Sequence, residues 1–433
     1  MKKLFIIFLV CFLTSCSGDY RGVKLISASD SDGNEVNIAK PQQQFESRDL
    51  ETIMPFKRKT KVALFLPMTG KNKSLGESLF NSAVLSIFEN DKDEDLEIRL
   101  FDSKDTAIEA KKEFQKIIDQ DIKIVIGPVF SSQVEEIANE AIKNEIVVIS
   151  LSNNRKLMDN IDDNGGIFLA GMMPETQIDK IISYSLSRGK RSFAVIAPNN
   201  KYGIAVSSLY KKLVKDRDGI FITSELYSPS GKGIENAVYR TINAFSVPSE
   251  MAEGGGNKLE DDFTVSNEDK TYADVILIPE VGKNLSKIVR LLDKENIDER
   301  PYQIIGTSQW DDISTLNDPN LTGGWFVAPD NEKFRDFERV YYQSYNKFPP
   351  RISSIAYDSV LSIIKTVKAT GEKNPQVNHF VNYQDQQNNG FNGVDGLFRY
   401  VDNGLVQRSL AVLQVGKGKF EVIEKPTEDF LLY

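Results

Sequence analysis

Val62-Ala63-Leu64-Phe65-Leu66-Pro67-Met68-Thr69-Gly70 is the stretch on which the fold turns. Five consecutive apolar residues end at a proline and a glycine, and Leu79, Ala83, Leu85 and Phe88 follow at helical spacing. A short strand without polar alternation is buried on both faces. With an amphipathic helix behind it, it begins a parallel α/β unit. Outward from here the pair repeats. Leu96 to Phe101 reads as a strand, with Ala107, Ala110, Phe114, Ile117 and Ile118 as the helix behind it. Ile122 to Ile126 precedes a helix from Ser131 or Ser132 to about Lys143, and strand Ile146 to Ser150 closes the series.

A second series begins near Pro174. Helices Glu175 to Leu186, Tyr202 to Lys215, Ile234 to Phe245 and Leu285 to Asn296 alternate with strands Phe193 to Ala197, Ile220 to Leu226, Asp274 to Pro279 and Tyr302 to Gly306. Pro248 to Lys270, with Gly254-Gly255-Gly256, reads as a surface insertion. A third stretch supplies strand Trp325 to Ala328 and helices near Glu332 to Asn346 and Ile355 to Ala369. It ends in a hairpin in which Asp402-Asn403-Gly404 joins Leu397 to Val401 with Leu405 to Gln414.

Composition excludes several functions. Lys and Arg number 53 against 62 Asp and Glu, a formal charge of -9, so no basic stripe is offered to nucleic acid. The one histidine, His379, falls in the polar stretch Asn374 to Gln387 and reads as a solvated loop residue. Cys/His nucleophile pairs, zinc clusters and histidine triads are therefore out, and no metal or other cofactor is expected. Catalysis would have to rest on carboxylates, lysine or tyrosine.

At the amino terminus Lys2 and Lys3 precede the apolar run Leu4 to Leu13, and Leu13-Thr14-Ser15-Cys16 follows. This resembles a bacterial lipobox. The resemblance implies a signal peptide over 1–15, cleavage before Cys16, diacylation of its sulfur and acylation of the new amino terminus. An ordinary signal peptide or a short transmembrane anchor competes with it, but about ten apolar residues fall short of the roughly twenty that span a bilayer. Ser17 in place of Asp implies outer-membrane retention by the sorting rules for such proteins. Without residues 1–15 the formal charge becomes -11, and Cys16 is the sole cysteine, so no disulfide is available. Residues 16–59 are polar and read as a flexible tether, with a mean span of about 35 to 40 Å.

The order of segments resembles the type 1 periplasmic-binding fold, in which two doubly wound parallel-sheet lobes are joined by crossover strands. More narrowly, a set of strings resembles the penicillin-binding-protein activator lipoproteins, in a compact alphaproteobacterial form without an amino-terminal helical-repeat domain. These strings are Val62 to Gly70, Ile126-Gly127-Pro128-Val129, Tyr202-Gly203, Gly306 to Asp312, Gly323 to Phe326, Pro349-Pro350-Arg351, Ala356-Tyr357-Asp358 and Gly390 to Arg399. The resemblance covers residues 60 to about 425. It implies lobe 1 over 60–172 and 308–398 and lobe 2 over 173–307 and 399–433. It also implies a peptidoglycan synthase as partner, membrane attachment through lipid and no catalysis.

In doubly wound sheets, ligands sit beyond the carboxyl ends of strands, where helix amino termini present N–H groups to anions. Three places qualify: Thr69 and Gly70, then Ser131 and Ser132, then Ser152, Asn153 and Asn154 behind Ser150. Similarity to amino-acid receptors gives these serines a ligand carboxylate and gives Tyr202 the covering aromatic. The competing readings are that Ser131 or Ser132 merely caps its helix, Ser132 and Glu135 being spaced as a capping box, and that Tyr202 only opens its helix. Such receptors place an acidic residue after the strand equivalent to Ile220 to Leu226. Here Ser228-Pro229-Ser230-Gly231-Lys232-Gly233 carries none, and Glu280 is the candidate substitute. A non-catalytic regulator of a peptidoglycan synthase is therefore the first expectation. A receptor delivering an amino acid or similar small-molecule ligand to an ABC importer is the alternative. An enzyme built on Asp311, Asp312 and Glu280 is the third class.

Overall fold

Val62, Ala63, Leu64, Phe65 and Leu66 are wholly buried. In the computed structural model, which describes residues 59–161, 165–247, 270–296, 300–384 and 389–430, they lie in strand β1 (Thr60–Leu66). Val62, Leu64 and Leu66 enter the apolar cluster on one face of a sheet, and Ala63 and Phe65 enter the cluster on the other. Two covered faces are why the run shows no polar alternation. The first sheet adds β2 (Leu96–Asp102), β3 (Ile124–Ile126), β4 (Val147–Ser150) and β5 (Ile167–Leu169), all parallel in the order β2-β1-β3-β4-β5. Helices α1 (Lys73–Asn90), α2 (Ala107–Asp119) and α3 (Ser131–Lys143) connect its strands.

The second lobe repeats the logic with helices α4 (Pro174–Ser187), α5 (Lys201–Asp216), α6 (Ile234–Asn243), α7 (Gly282–Glu295) and the single turn α8 (Ile313–Leu316). Its parallel strands are β6 (Ser192–Pro198), β7 (Ile220–Tyr227), β8 (Val275–Leu277), β9 (Gln303–Gly306) and β10 (Trp325–Ala328). The chain then returns to the first lobe as α9 (Asn331–Tyr345), α10 (Ser353–Thr370), α11 (Val377–Val381) and a ribbon of β11 (Phe391–Gly393), β12 (Gly396–Tyr400) and β13 (Val406–Arg408). Finally β14 (Ala411–Val415) and β15 (Phe420–Glu424) add antiparallel to the second sheet, whose order is β15-β14-β10-β9-β8-β6-β7. This is the type 1 periplasmic-binding fold: two α/β lobes joined by three crossovers, at residues 170–173, 329–330 and 409–410.

The lobe boundaries differ from the sequence division. Residues 308–328, assigned above to lobe 1, belong to the second lobe: Trp310 and Leu321 enter its core, and Trp325–Ala328 pairs with β9 and β14 in the second sheet. Residues 399–408, assigned to lobe 2, belong to the ribbon, whose Phe391, Phe398, Tyr400 and Val406 pack into the first lobe's core. The Asn-Gly hairpin does form, but its second arm is cut at Ser409-Leu410. Val406–Arg408 stays with β12, and Ala411–Val415 goes to the other lobe. An apolar run marks a strand without marking its partner, so this exchange was invisible. Residues after β15 cross back: Ser409 Oγ donates to Thr427 O at 2.7 Å, and the Arg399 guanidinium lies 4.7 Å from the Phe430 ring centre. His379 sits in α11, where its Nδ1 accepts from the Gln376 N–H at 3.0 Å, so it is a capping residue and not a loop residue.

Cys16, the signal peptide, the tether up to residue 58 and the insertion over 248–269 lie outside the described residues. Among the described residues, no helix is long and apolar enough to cross a membrane.

Candidate functional site

The carboxyl ends of β3 and β4, two of the crossovers and the start of α10 enclose a cavity of about 360 Å³ between the lobes. Phe130 and Ser131 come from the β3–α3 turn, Leu151 to Asn153 follow β4, and Gly171, Met172 and Pro329 are crossover residues. Ser308 and Asp311 come from the second lobe, and Arg351, Ile352, Ile355 and Asp395 return from the first. The volume suits a small ligand, and the lining mixes apolar walls with a few polar groups, the usual make-up of such sites.

Three of the sequence candidates meet here. The Ser131 and Ser152 hydroxyls lie 3.0 Å apart, and Asn153 lines the wall beside them. Ser152 is held in place: its backbone N–H donates to Ser150 Oγ at 3.1 Å, and its Oγ accepts from the Asn154 N–H at 3.3 Å. The capping box expected of Ser132 and Glu135 does not form. Phe130 is the N-cap, no side chain caps the helix, and Ser132 is exposed. With the helix starting at Ser131, that hydroxyl is free to face Ser152, and the uncapped α3 terminus points its partial positive charge at the cleft.

The other candidates lie elsewhere. Asn154 acts through its backbone and does not line the cavity. Thr69 Oγ1 donates to Asp102 at 2.6 Å, the Met68 N–H donates to the same carboxylate at 2.9 Å, and the Lys71 N–H just beyond Gly70 donates to Asp105 at 3.0 Å. Thr69 and Gly70 therefore belong to a latch between two loops, not to the cavity. Tyr202 packs within the second lobe, its hydroxyl 3.2 Å from Thr307 Oγ1. Burial pushes its phenol up, and the Glu280 charge adds to that. Glu280 accepts from the Tyr227 hydroxyl and, at 2.9 Å, from the Val281 N–H. It too stands outside the cavity.

Burial works against the charge of Asp102. The hydrogen bonds from Lys104 Nζ, Thr69 Oγ1 and the Lys104 and Met68 N–H groups more than offset this and hold its carboxyl down at about 2. A folded-state value below the unfolded one contributes stability that is complete above about pH 4 and is lost as pH falls toward 2. Asp102→Asn should therefore unfold at a lower temperature than the parent at neutral pH, with the gap closing below pH 4. Coincident melting temperatures from pH 7 to 2 would show that the latch contributes nothing, and a gap that does not close below pH 4 would show that the Asp102 charge is not what holds it.

The binding candidates leave out the charged end of the cavity, of which Asp311 alone was named, as a carboxylate of the enzyme class. Arg351 Nε donates to Asp311 Oδ2 at 3.2 Å, and Nη1 donates to Asp395. Ser354 Oγ donates to the second oxygen of Asp395 at 2.7 Å. Burial opposes the guanidinium charge, but the Asp395 and Asp311 carboxylates outweigh it and keep Arg351 protonated. The signal was present in the sequence: all three residues fall within strings that carried the resemblance, Gly306 to Asp312, Pro349-Pro350-Arg351 and Gly390 to Arg399.

A two-lobed cleft of this geometry defines a type 1 periplasmic-binding domain. A chain from Rhodospirillum rubrum described as a "putative branched-chain amino acid ABC transporter" superposes with a TM-score of 0.68 at 16% identity, covering 84% of this chain and 100% of that one. A branched-chain amino acid ABC transporter periplasmic ligand-binding protein from Burkholderia xenovorans gives 0.64 at 13%, covering 86% and 96%. Sequence narrows the class. A family model described as "LppC putative lipoprotein" matches residues 37–229, which include Val62 to Gly70, Ile126 to Val129 and Tyr202-Gly203; the later strings lie beyond it. The penicillin-binding protein activator LpoA of Vibrio cholerae is 24% identical over 168 residues, 38% of this chain and 26% of the activator. An uncharacterized protein of Rickettsia prowazekii is 25% identical over 213 residues, 48% of this chain and 51% of the relative. The chain is thus similar to the LppC lipoproteins and the LpoA activators. It spans about half the length of the Rickettsia relative and about a quarter of the Vibrio activator over the matched regions.

Proposed function

We propose that this protein is a lipid-anchored, non-catalytic periplasmic regulator that activates a penicillin-binding protein, a synthase of peptidoglycan. The observation that carries the proposal is the similarity to LpoA within a fold that transport receptors also share. The cleft supports it. A receptor for an amino acid needs a carboxylate for the ligand ammonium, and a buried ammonium without a partner costs several kcal/mol. Asp311 and Asp395, the carboxylates lining the cavity, are both engaged by Arg351, and Glu280 stands outside. Cys16 is the proposed point of acylation, with the outer membrane as the destination implied by Ser17.

The experiment is a polymerisation assay with the cognate synthase, recovered by crosslinking from the envelope. Ser152→Val and Asn153→Ala in the cavity should leave stimulation intact. Glu332→Lys with Asp336→Lys, on the exposed face of α9, should reduce it several-fold. Recovery of no penicillin-binding protein, or stimulation indifferent to every substitution, would defeat the activator reading. The alternative, an importer's receptor for a small carboxylate, draws on the Ser131–Ser152 pair at the α3 terminus. It requires a ligand that raises thermal stability by binding the folded state alone, so a screen of amino acids and small carboxylates with no shift would eliminate it.

A further inference from the structure

We propose that Arg351 is an interlobe clasp: anchored to Asp395 on its own lobe, it reaches across the cleft to Asp311 on the other and holds the two together. Asp311 follows Trp310, which is buried in the second lobe's core and donates from Nε1 to Glu280 O at 3.2 Å. Arg351 lies in the turn just before α10 in the first lobe, and its guanidinium lies 3.9 Å from the ring centre of Phe334. Asp395, in turn, is fixed by Ser354. Each half of the pair is positioned by its own lobe before they meet, so the main freedom left to the ion pair is the separation of the lobes. A receptor closes because its ligand contacts both lobes only when they are together. Here the chain's own charges make that two-sided contact.

Burial separates this pair from ordinary surface charges. The Asp311 side chain is 7% exposed, Asp395 2% and Arg351 28%, whereas Arg155 with Glu175, another cross-lobe pair among the described residues, is 53% and 33% exposed on the rim. Water screens the rim pair and leaves it little strength, while the shielded pair keeps more of its attraction. Removing Arg351 takes from both the Asp311 and the Asp395 carboxylates the guanidinium that each of them contacts. The inference goes beyond the activator proposal and does not depend on which partner the protein serves.

The test is the distance between lobes in the full chain. Spin labels on keto amino acids introduced at Lys112 of α2 and Lys294 of α7, both exposed, report it without touching the cysteines. The parent should give one dominant short distance. Asp311→Leu, which keeps the shape without charge or acceptor, should raise the ratio of open to closed lobes about tenfold or more. Arg351→Met, which keeps the stem over Phe334, should raise it further, and Glu175→Gln should leave it unchanged. Unaltered distances in Asp311→Leu would overturn the clasp even if Arg351→Met failed to fold. An equal shift in Glu175→Gln would overturn it as well, because closure would then be a sum of cross-lobe charges without a dedicated pair.

Discussion

Arg408→Met should cost the folded protein about 3 to 5 kcal/mol, because it strands a buried carboxylate without its countercharge. Arg408 and Asp358 are 3% and 0% exposed, with Nη1 donating to Oδ2 at 3.0 Å. Asp358 also accepts from the Val394 N–H at 2.7 Å, so one carboxylate ties α10 to the turn before β12 and, through Arg408, to the end of β13 just before the third crossover. Burial pushes Asp358 up to about 6, against the pull of Arg408 and the Val394 N–H. A raised folded-state value means that the ionised carboxylate is paid for by folding, and that stability from this group rises as pH falls through 6 toward 4. Without Arg408 the penalty grows at neutral pH and is relieved as the acid protonates. Urea midpoints should therefore show the deficit in full near pH 7.5 and a smaller one near pH 5. Adding Asp358→Leu to Arg408→Met should recover most of the loss, since two apolar groups strand no charge. A deficit below about 1 kcal/mol at pH 7.5 would mean that the pair is solvated and does not hold this junction.

That junction also marks how far the sequence could be read. The β1 run and the strands behind it were legible because a strand buried on both faces announces itself locally, within five residues. Partner choice is not local. β10 looks like any strand of a parallel series, and only its register with β9 and β14 puts it in the second lobe. The cavity divides the same way. Ser131 and Ser152 could be found because each follows a strand end, the position where this topology gathers side chains. Asp311, Arg351 and Asp395 are brought together from segments some forty residues apart, and no periodicity links them. Tyr202 and Glu280 fall outside the cavity lining for a related reason: a position relative to a strand does not state a direction, and both turn toward partners within their own lobe.

Trp310→Ala should cost about 3 to 5 kcal/mol, the range for deleting a fully buried aromatic and leaving its cavity. The side chain is 0% exposed, and the backbone was shaped to receive it: a methyl group on Gly306 would stand 2.2 Å from its ring, and one on Gly324 2.8 Å. Gly306 keeps an ordinary backbone conformation, so only space forbids a side chain there. Gly306→Ala alone should then cost about 1 to 3 kcal/mol by overpacking. The two costs share one cause and cannot add. Once the indole is gone, the new methyl occupies vacated volume, and Gly306→Ala should become neutral or mildly stabilising in the Trp310→Ala background. The cycle, measured by urea unfolding, reads packing at a residue whose neighbour is Asp311, so the distance measurement above should change in step. Loss of the indole removes the Nε1 bond to Glu280 O and lets Asp311 drift from Arg351, so lobe opening should appear even though neither charge has been touched. Strict additivity of the two substitutions would mean that glycine and tryptophan are not in contact, and the footing assigned to Asp311 would go with them.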